Sequence, residues 1–365
     1  MRNPSIDIYK FFFSLMIAIF HFYGRSTPRE HFPLGGVIVE FFVLASGVFF
    51  YSKWERVKQK NKITELYPYE YAKKRFLRFF PYNLAGVIFA FLVRRIYLYQ
   101  ADGGVVTIGK IVRWLSSDIW EILLIKMNGL NKNAGLLNAP AWTISAMFIV
   151  EFVIVCLLVN REKLFYTVIC PISILVGYGF WRHVENGGNE IWIGFTTFGV
   201  LRVFLVMCLA WYCYQLAEFI KKAQYTQKGI WILTFCEVIC YCSVLLIVMY
   251  GTTRNFKWVA TGFLLFAVSL SASQKTYIYT LSMKLNHTFT SWLGRLSVDI
   301  YLAHGTIIYL FTHFYPDKYD MYRQKFIYML LCLAVAIIFE CLVVLGQKIC
   351  IKAFHSLKLQ MLEGD

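Results

Sequence analysis

Residues 6–24 read IDIYKFFFSLMIAIFHFYG. A helix needs about 20 mostly apolar residues to cross a bilayer core, and this stretch supplies them. Yet it also holds Asp7, Lys10 and His21. Ionisable side chains are costly at that depth, and where they occur they face a partner or a polar cavity. No small-residue cleavage pattern follows the stretch, so it is expected to be a retained span and not a signal peptide. One segment therefore points both to a membrane helix and to where chemistry is to be sought.

The rest of the chain extends the pattern. Of 365 residues, 58% are hydrophobic, 18% aromatic and only 16% charged, against about 25% charged in an ordinary soluble domain. A single soluble core of this size could not hide that much apolar surface. The same figures exclude a disordered or collagen-like chain. About 212 apolar residues, at about 20 per span, supply about ten spans. Nine further segments fit, roughly 34–52, 82–100, 138–159, 164–181, 192–217, 229–250, 256–273, 293–313 and 325–348. The predicted fold is all-α, a polytopic membrane helical bundle of about ten transmembrane helices. It is expected to occupy residues 1–352 as one domain, with a short cytoplasmic tail at 353–365. No internal repeat, low-complexity tract or soluble domain interrupts it.

The formal net charge is +16. In a chain this apolar the charge reports topology, because Lys and Arg gather in cytoplasmic loops; no nucleic-acid partner is expected. Termini and even-numbered loops carry 21 Lys and Arg against 14 in the odd-numbered loops. Nine of the 21 lie in residues 53–78. The bias puts both termini in the cytoplasm and makes the 101–137 loop an outer cap or re-entrant segment. Ten cysteines lie in or beside apolar stretches without a Cys-x-x-Cys. They read as packing residues, with neither a disulfide framework nor a metal site.

Polar residues inside spans are the candidates for chemistry: Asp7, Lys10, His21, Glu40, Glu151, Arg202, Glu237, Asp299, His304 and Glu340. Lys10 and His21 are eleven residues apart, three helical turns plus about 20°. Both face one way, about 16 Å apart along the axis. Asp7 is three residues before Lys10, close enough to pair with it. An imidazole titrates near neutrality and suits proton abstraction, although a hydrogen bond to a neighbouring helix would satisfy the same residue. Glu40 has two candidate partners, His21 and the loop cations Arg25 and Arg29. Arg75 and Arg78 share one helical face, fit for phosphate or for ordinary positive-inside anchoring. Ser46-Gly47 reads as a close contact between helices. Arg202, Glu237 and Glu340 carry no motif and are free to neutralise one another.

Five stretches in order resemble the acyltransferase family 3 of bacterial membrane proteins. Ile6-Asp7-Ile8-Tyr9-Lys10 with His21 is similar to that family's Leu-Asp-x-x-Arg, ten residues, then His, with Lys10 where Arg is usual. Phe41-Phe42-Val43-Leu44-Ala45-Ser46-Gly47 resembles its second-span Phe-Phe-x-x-Ser-Gly signature. Arg75-Phe76-Leu77-Arg78 before Pro81 resembles its Arg-x-x-Arg element, and Ser297 through Tyr301-Leu302-Ala303-His304 its late Ser-x-x-x-Tyr-Leu-x-His span. Trp142-Thr143-Ile144-Ser145 is a weaker match to Trp-Ser-Leu-Ser followed by Glu. Here the nearest acid is displaced to Glu151.

The resemblance implies an O-acyltransferase, usually an O-acetyltransferase, acting on a carbohydrate outside the bacterial cytoplasmic membrane. Acetyl-CoA or another acyl-CoA would be the cytoplasmic donor, with no permanently bound cofactor. His21 would be general base or transient acyl carrier, with Glu40 beside it. Lys10, Arg75 and Arg78 would hold the donor; Trp142, Ser145 and His304 would line the acceptor site. The bilayer is the obligate partner, and homo-oligomers or polysaccharide-assembly partners are compatible with the reading. The rival is a transporter or flippase for a glycan or lipid precursor, its buried charges lining a pathway.

Overall fold

The computed structural model describes residues 2–26, 34–60, 67–129, 137–184, 189, 191–194, 196–251, 255–315 and 321–363. Helix α1 spans Pro4–Ser26. It starts where a capping side chain and a proline coincide. The Asn3 amide oxygen accepts the N–H of Ser5 at 3.1 Å and of Ile6 at 3.3 Å, while its Nδ2 donates to the Ser271 carbonyl at 2.8 Å. The cap thus also docks α1 on a later helix. There follow α2 (Ile38–Gln59), α3 (Pro68–Ala90), a π-helical turn (Phe91–Tyr97), α4 (Leu98–Ala101) and α5 (Ile108–Ile122). Helix α6 (Ala141–Leu164) continues through a second π-helical turn (Phe165–Ile169) into α7 (Cys170–Val184). A two-residue ladder of β1 (Trp192–Ile193) and β2 (Thr196–Thr197) precedes α8 (Phe198–Lys222). The rest is α9 (Gln227–Tyr250), α10 (Asn255–Ser273), α11 (Tyr277–Lys284), α12 (His287–Phe314) and α13 (Met321–Glu363). The last helix runs on past residue 352, where the tail was expected to begin.

Among the described residues, eight helical segments are long and apolar enough to cross a membrane. Two differences separate that number from the ten expected. Ala141–Gly177 counts as one segment, but the chain reverses inside it. Trp142 lies against Gly199 and Gly177 against Leu205. Six residues of α8 cover about 9 Å, whereas 35 residues of straight helix would cover about 52 Å. Both contacts form because the helix breaks at Arg161, whose φ of −145° and ψ of 45° are not helical. The second difference is α12. Its charges and imidazoles lower its hydropathy, yet its 28 residues give about 42 Å of helix. Ten crossings result, as in the sequence reading.

The bundle is graded from inside to out. The apolar window of α2 is 72% buried, whereas those of α9 and α13 are 28% buried. Trp231 and Phe235 on α9 and Ile338 on α13 are exposed, as lipid-facing helices require. Gly47 explains how α2 sits so deep. A Cβ there would lie 2.4 Å from the Ala210 Cβ, so only glycine lets α2 and α8 approach this closely. Ser46-Gly47 is therefore a helix contact, as its sequence suggested. For the site, the decisive pairing is α1 with α12. Asp7 packs on Gly294 and His21 on His304, so the two helices run side by side in the same direction.

Candidate active site

The N-terminal end of α1 gathers charge. Asp7 takes the Arg2 Nε at 2.6 Å and lies 3.7 Å from the Lys10 ammonium. That ammonium also stands 5.1 Å over the Phe49 ring. Arg2 donates to the Ser291 carbonyl, stitching the α1 start to α12. A Cβ on Gly294 would meet Asp7 Oδ1 at 2.6 Å, so glycine is what admits this carboxylate between the helices. From α3, Arg75 and Arg78 come into electrostatic range of Lys10 and Arg2. Arg75 donates to Glu151 Oε1 at 2.5 Å and to Ser46 Oγ at 3.0 Å; the Tyr71 hydroxyl donates to Glu151 Oε2 at 2.6 Å. Glu151 is fully buried. The acid displaced by a turn and a half from Ser145 is thus the anchor of Arg75.

Arg78 differs from Arg75. It is exposed, its guanidinium lies 5.6 Å from the Phe79 ring, and no carboxylate among the described residues comes within 4 Å of it. Four cations against Asp7 and Glu151 leave this end net positive. The Glu151-bound Arg75 is rigid, whereas Arg78 and Lys10 keep donor capacity for an anion.

Farther along α1 stands the imidazole pair. The rings of His21 and His304 have centroids 5.0 Å apart, tilted by 33°. His21 is exposed, while His304 is buried. Neither ring nitrogen of His304 makes a hydrogen bond, although the Ile300 and Tyr301 carbonyls lie close by. Its main chain is held, since the Tyr328 hydroxyl donates to the His304 carbonyl at 3.3 Å. One turn earlier, the Tyr301 and Thr143 hydroxyls share a 2.7 Å bond that ties α12 to α6.

Glu40 has a partner that the sequence reading did not consider. It pairs with Arg202 at 3.2 Å and accepts a short hydrogen bond from the Thr261 hydroxyl. Arg202 also donates to the Gly36 carbonyl at 2.8 Å and stands 5.7 Å over the Trp142 ring. Of the expected loop partners, Arg29 and the side chain of Arg25 lie outside the described residues. Glu40 therefore joins α2, α8 and α10, and Trp142 belongs to that cluster. Ser145 does not present its hydroxyl to an entrance: it is buried and accepts the Met127 N–H at 3.0 Å, which fixes the turn before α6.

Arg202, Glu237 and Glu340 do not neutralise one another, because they sit on different sides of the bundle. Arg202 takes Glu40; Glu340 takes Arg295 at 2.5 Å; Glu237 accepts the Ser271 hydroxyl at 2.5 Å. Sequence reasoning also missed Glu121 and Asn138. Glu121 is buried outside the spans, accepting the backbone N–H of Leu137 at 2.9 Å and of Asn138 at 2.7 Å. Burial pushes its carboxyl up to about 7, against the pull of those two N–H groups. A signal existed, since an acid on the otherwise amphipathic α5 preceding a polar loop invites a capping role. Among the described residues, no three His, Cys, Asp or Glu side chains assemble as metal ligands.

The comparisons with known proteins bear on the whole chain. A family model described as an acyltransferase domain matches residues 3–346. Neither the curated proteins nor the solved structures give a match. The matched range takes in both the cation cluster and the imidazole pair, on a bundle of membrane-spanning helices. The chain belongs to acyltransferase family 3 and is a membrane acyltransferase.

Proposed function

We propose that this acyltransferase moves an acyl group, in the first instance acetyl, from acyl-CoA to a hydroxyl of an extracytoplasmic carbohydrate. The observation that carries the reading is the shared face of α1. A net-positive cluster at Lys10, Arg75 and Arg78 and an imidazole at His21 stand about 16 Å apart on it. Coenzyme A is built to that plan, with phosphates at one end of a long arm and a thioester at the other. The positive-inside bias sets the cluster, and with it both termini, on the cytoplasmic side of a bacterial inner membrane. The acceptor then arrives from the opposite side. A donor made inside and a glycan held outside explain why charges are kept in a membrane at all.

The chemistry needs few parts. Arg78 and Lys10 hold phosphate oxygens, and Glu151 keeps Arg75 extended beside them. At His21 the neutral imidazole removes the acceptor hydroxyl proton as the oxygen attacks the thioester carbonyl. The C–S bond breaks, the thiolate leaves, and the proton passes from imidazolium to sulfur. In the acyl-carrier form, the imidazole nitrogen attacks first and the alcohol then displaces it. His304 lines the acceptor side of His21. Glu40 acts at one remove, positioning Arg202 beneath Trp142 toward the outer mouth.

The test is to prepare surface carbohydrate from cells with and without the gene and to assay base-labile acyl esters by NMR. Ester lost with the gene, and lost again with His21→Ala, is the expected result. A change in the amount of glycan with acylation intact would favour the transporter or flippase reading instead.

A further inference from the structure

The turn leading into α6 is clamped from several directions. The Glu121 carboxylate accepts the N–H groups of Leu137 and Asn138, and Arg94 donates to the Leu137 carbonyl. The Asn138 carbonyl accepts the Ala141 N–H at 3.0 Å. Asn83 on α3 donates from Nδ2 to the Glu121 carbonyl at 2.8 Å, tying the clamp to the bundle. Together these bonds fix one side chain, the amide of Asn138. That amide is fully buried, and neither its Nδ2 nor its Oδ1 has a hydrogen-bond partner among the described residues.

Two glycines make its place. A Cβ on Gly86 of α3 would lie 2.8 Å from Asn138 Nδ2. A Cβ on Gly305 of α12 would lie 2.6 Å from Pro140 Cδ and 3.9 Å from Asn138 Oδ1. Gly305 is the chain neighbour of His304, whose two ring nitrogens are also without hydrogen bonds and whose ring faces His21. Each buried polar group left unpaired costs about 1–3 kcal/mol. An amide held in place by its backbone, with both ends open beside an unpaired imidazole, is a site awaiting a polar guest.

We propose that Asn138 and His304 form an acceptor subsite for a neutral polyhydroxyl ligand, and that it presents one sugar hydroxyl to His21. The inference rests on the carbohydrate reading above and adds the residue that selects the acceptor. An amide offers a donor and an acceptor side by side, which matches a hydroxyl that must do both. The adjoining carboxylate, Glu121, is spent on backbone N–H groups, so no charge remains there to select an ion. Because the backbone is already fixed, the amide binds without a further ordering cost.

The experiment uses the full chain in detergent micelles, radiolabelled acetyl-CoA, and the unacylated envelope glycan fraction from the deletion strain in graded amounts. For Asn138→Ala, half-maximal transfer should need at least tenfold more glycan. The half-saturating acetyl-CoA and the equilibrium binding of acetyl-CoA should stay within twofold of wild type. Asn138→Ser, which restores one donor and one acceptor, should recover part of the loss. Two results overturn the subsite: a glycan requirement unchanged within twofold, meaning that the amide holds water only, or an equal loss of glycan use and acetyl-CoA binding, meaning that it is structural. If wild-type protein binds acetyl-CoA but labels no glycan, the carbohydrate reading itself fails, and the subsite with it.

Discussion

His21 on α1 and His304 on α12 face each other at 5.0 Å between ring centroids, on helices that run in the same direction. Those helices are also joined at their beginnings, where Arg2 bridges Asp7 and the Ser291 carbonyl. The pairing is thus set by contacts near one end and expressed farther along, where the donor's thioester is proposed to lie. His304 has no hydrogen bond of its own to defend. His304→Ala should therefore lower acyl transfer at least tenfold while leaving acetyl-CoA binding unchanged. Isothermal titration beside a transfer assay checks both halves of that statement.

The Arg75–Glu151 pair is the deepest ion pair near the donor cluster, with side-chain exposures of 14% and 0%. Removing one partner of a buried pair strands the other charge, at about 3–5 kcal/mol. Glu151→Ala should lower the thermal midpoint in micelles sharply, and Arg75→Ala with Glu151→Ala together should cost less than the sum of the two. Arg78→Ala has no such partner to strand, so it should keep its midpoint and lose acetyl-CoA affinity instead. A stable but binding-competent Arg78→Ala would remove Arg78 from the donor site.

Glu121 gives the stability a pH signature. Its carboxyl titrates at about 7 in the folded protein, raised from 4.5 by burial. The folded state therefore binds this proton more tightly than the unfolded chain does, and its contribution is largest below about pH 4.5. It falls as pH rises toward 7, by up to about 3 kcal/mol. The wild-type midpoint, measured against Glu121→Gln, should drop across that window and level off above it. A difference that is flat from pH 4.5 to 8 would contradict the buried carboxyl.

Glu40→Gln separates positioning from catalysis. The substitution keeps an acceptor for Thr261 but leaves Arg202 without its carboxylate. Stability should fall, and the acceptor requirement should rise more than the maximal rate falls. A loss confined to the maximal rate, with an unchanged midpoint, would instead place Glu40 on the reacting atoms.

Much of this architecture was legible in the sequence. Apolar length located the crossings, since a span must be about 20 residues whatever its neighbours. The α1 stripe was legible too, because helical periodicity alone aligns Lys10 with His21. Ion-pair partners were not, and the reason is physical: Glu40 meets Arg202 across 162 residues of chain, through tertiary packing that no local period encodes. Asn138 stayed hidden because its meaning lies in atoms that lack partners, and in two glycines from distant helices. The hairpin at Arg161 was visible as a dip in apolarity, although helical hydrogen bonding runs almost unbroken through it.

The central claim, that one imidazole on α1 performs the transfer, is met most directly by single-turnover kinetics. Purified wild-type and His21→Ala protein would be mixed with saturating acetyl-CoA and the unacylated glycan fraction, and the free thiol of coenzyme A followed. General-base catalysis contributes about 10²–10⁴-fold, so thiol release should slow by at least a hundredfold in His21→Ala while acetyl-CoA binding stays intact. Release within tenfold of wild type would contradict the account.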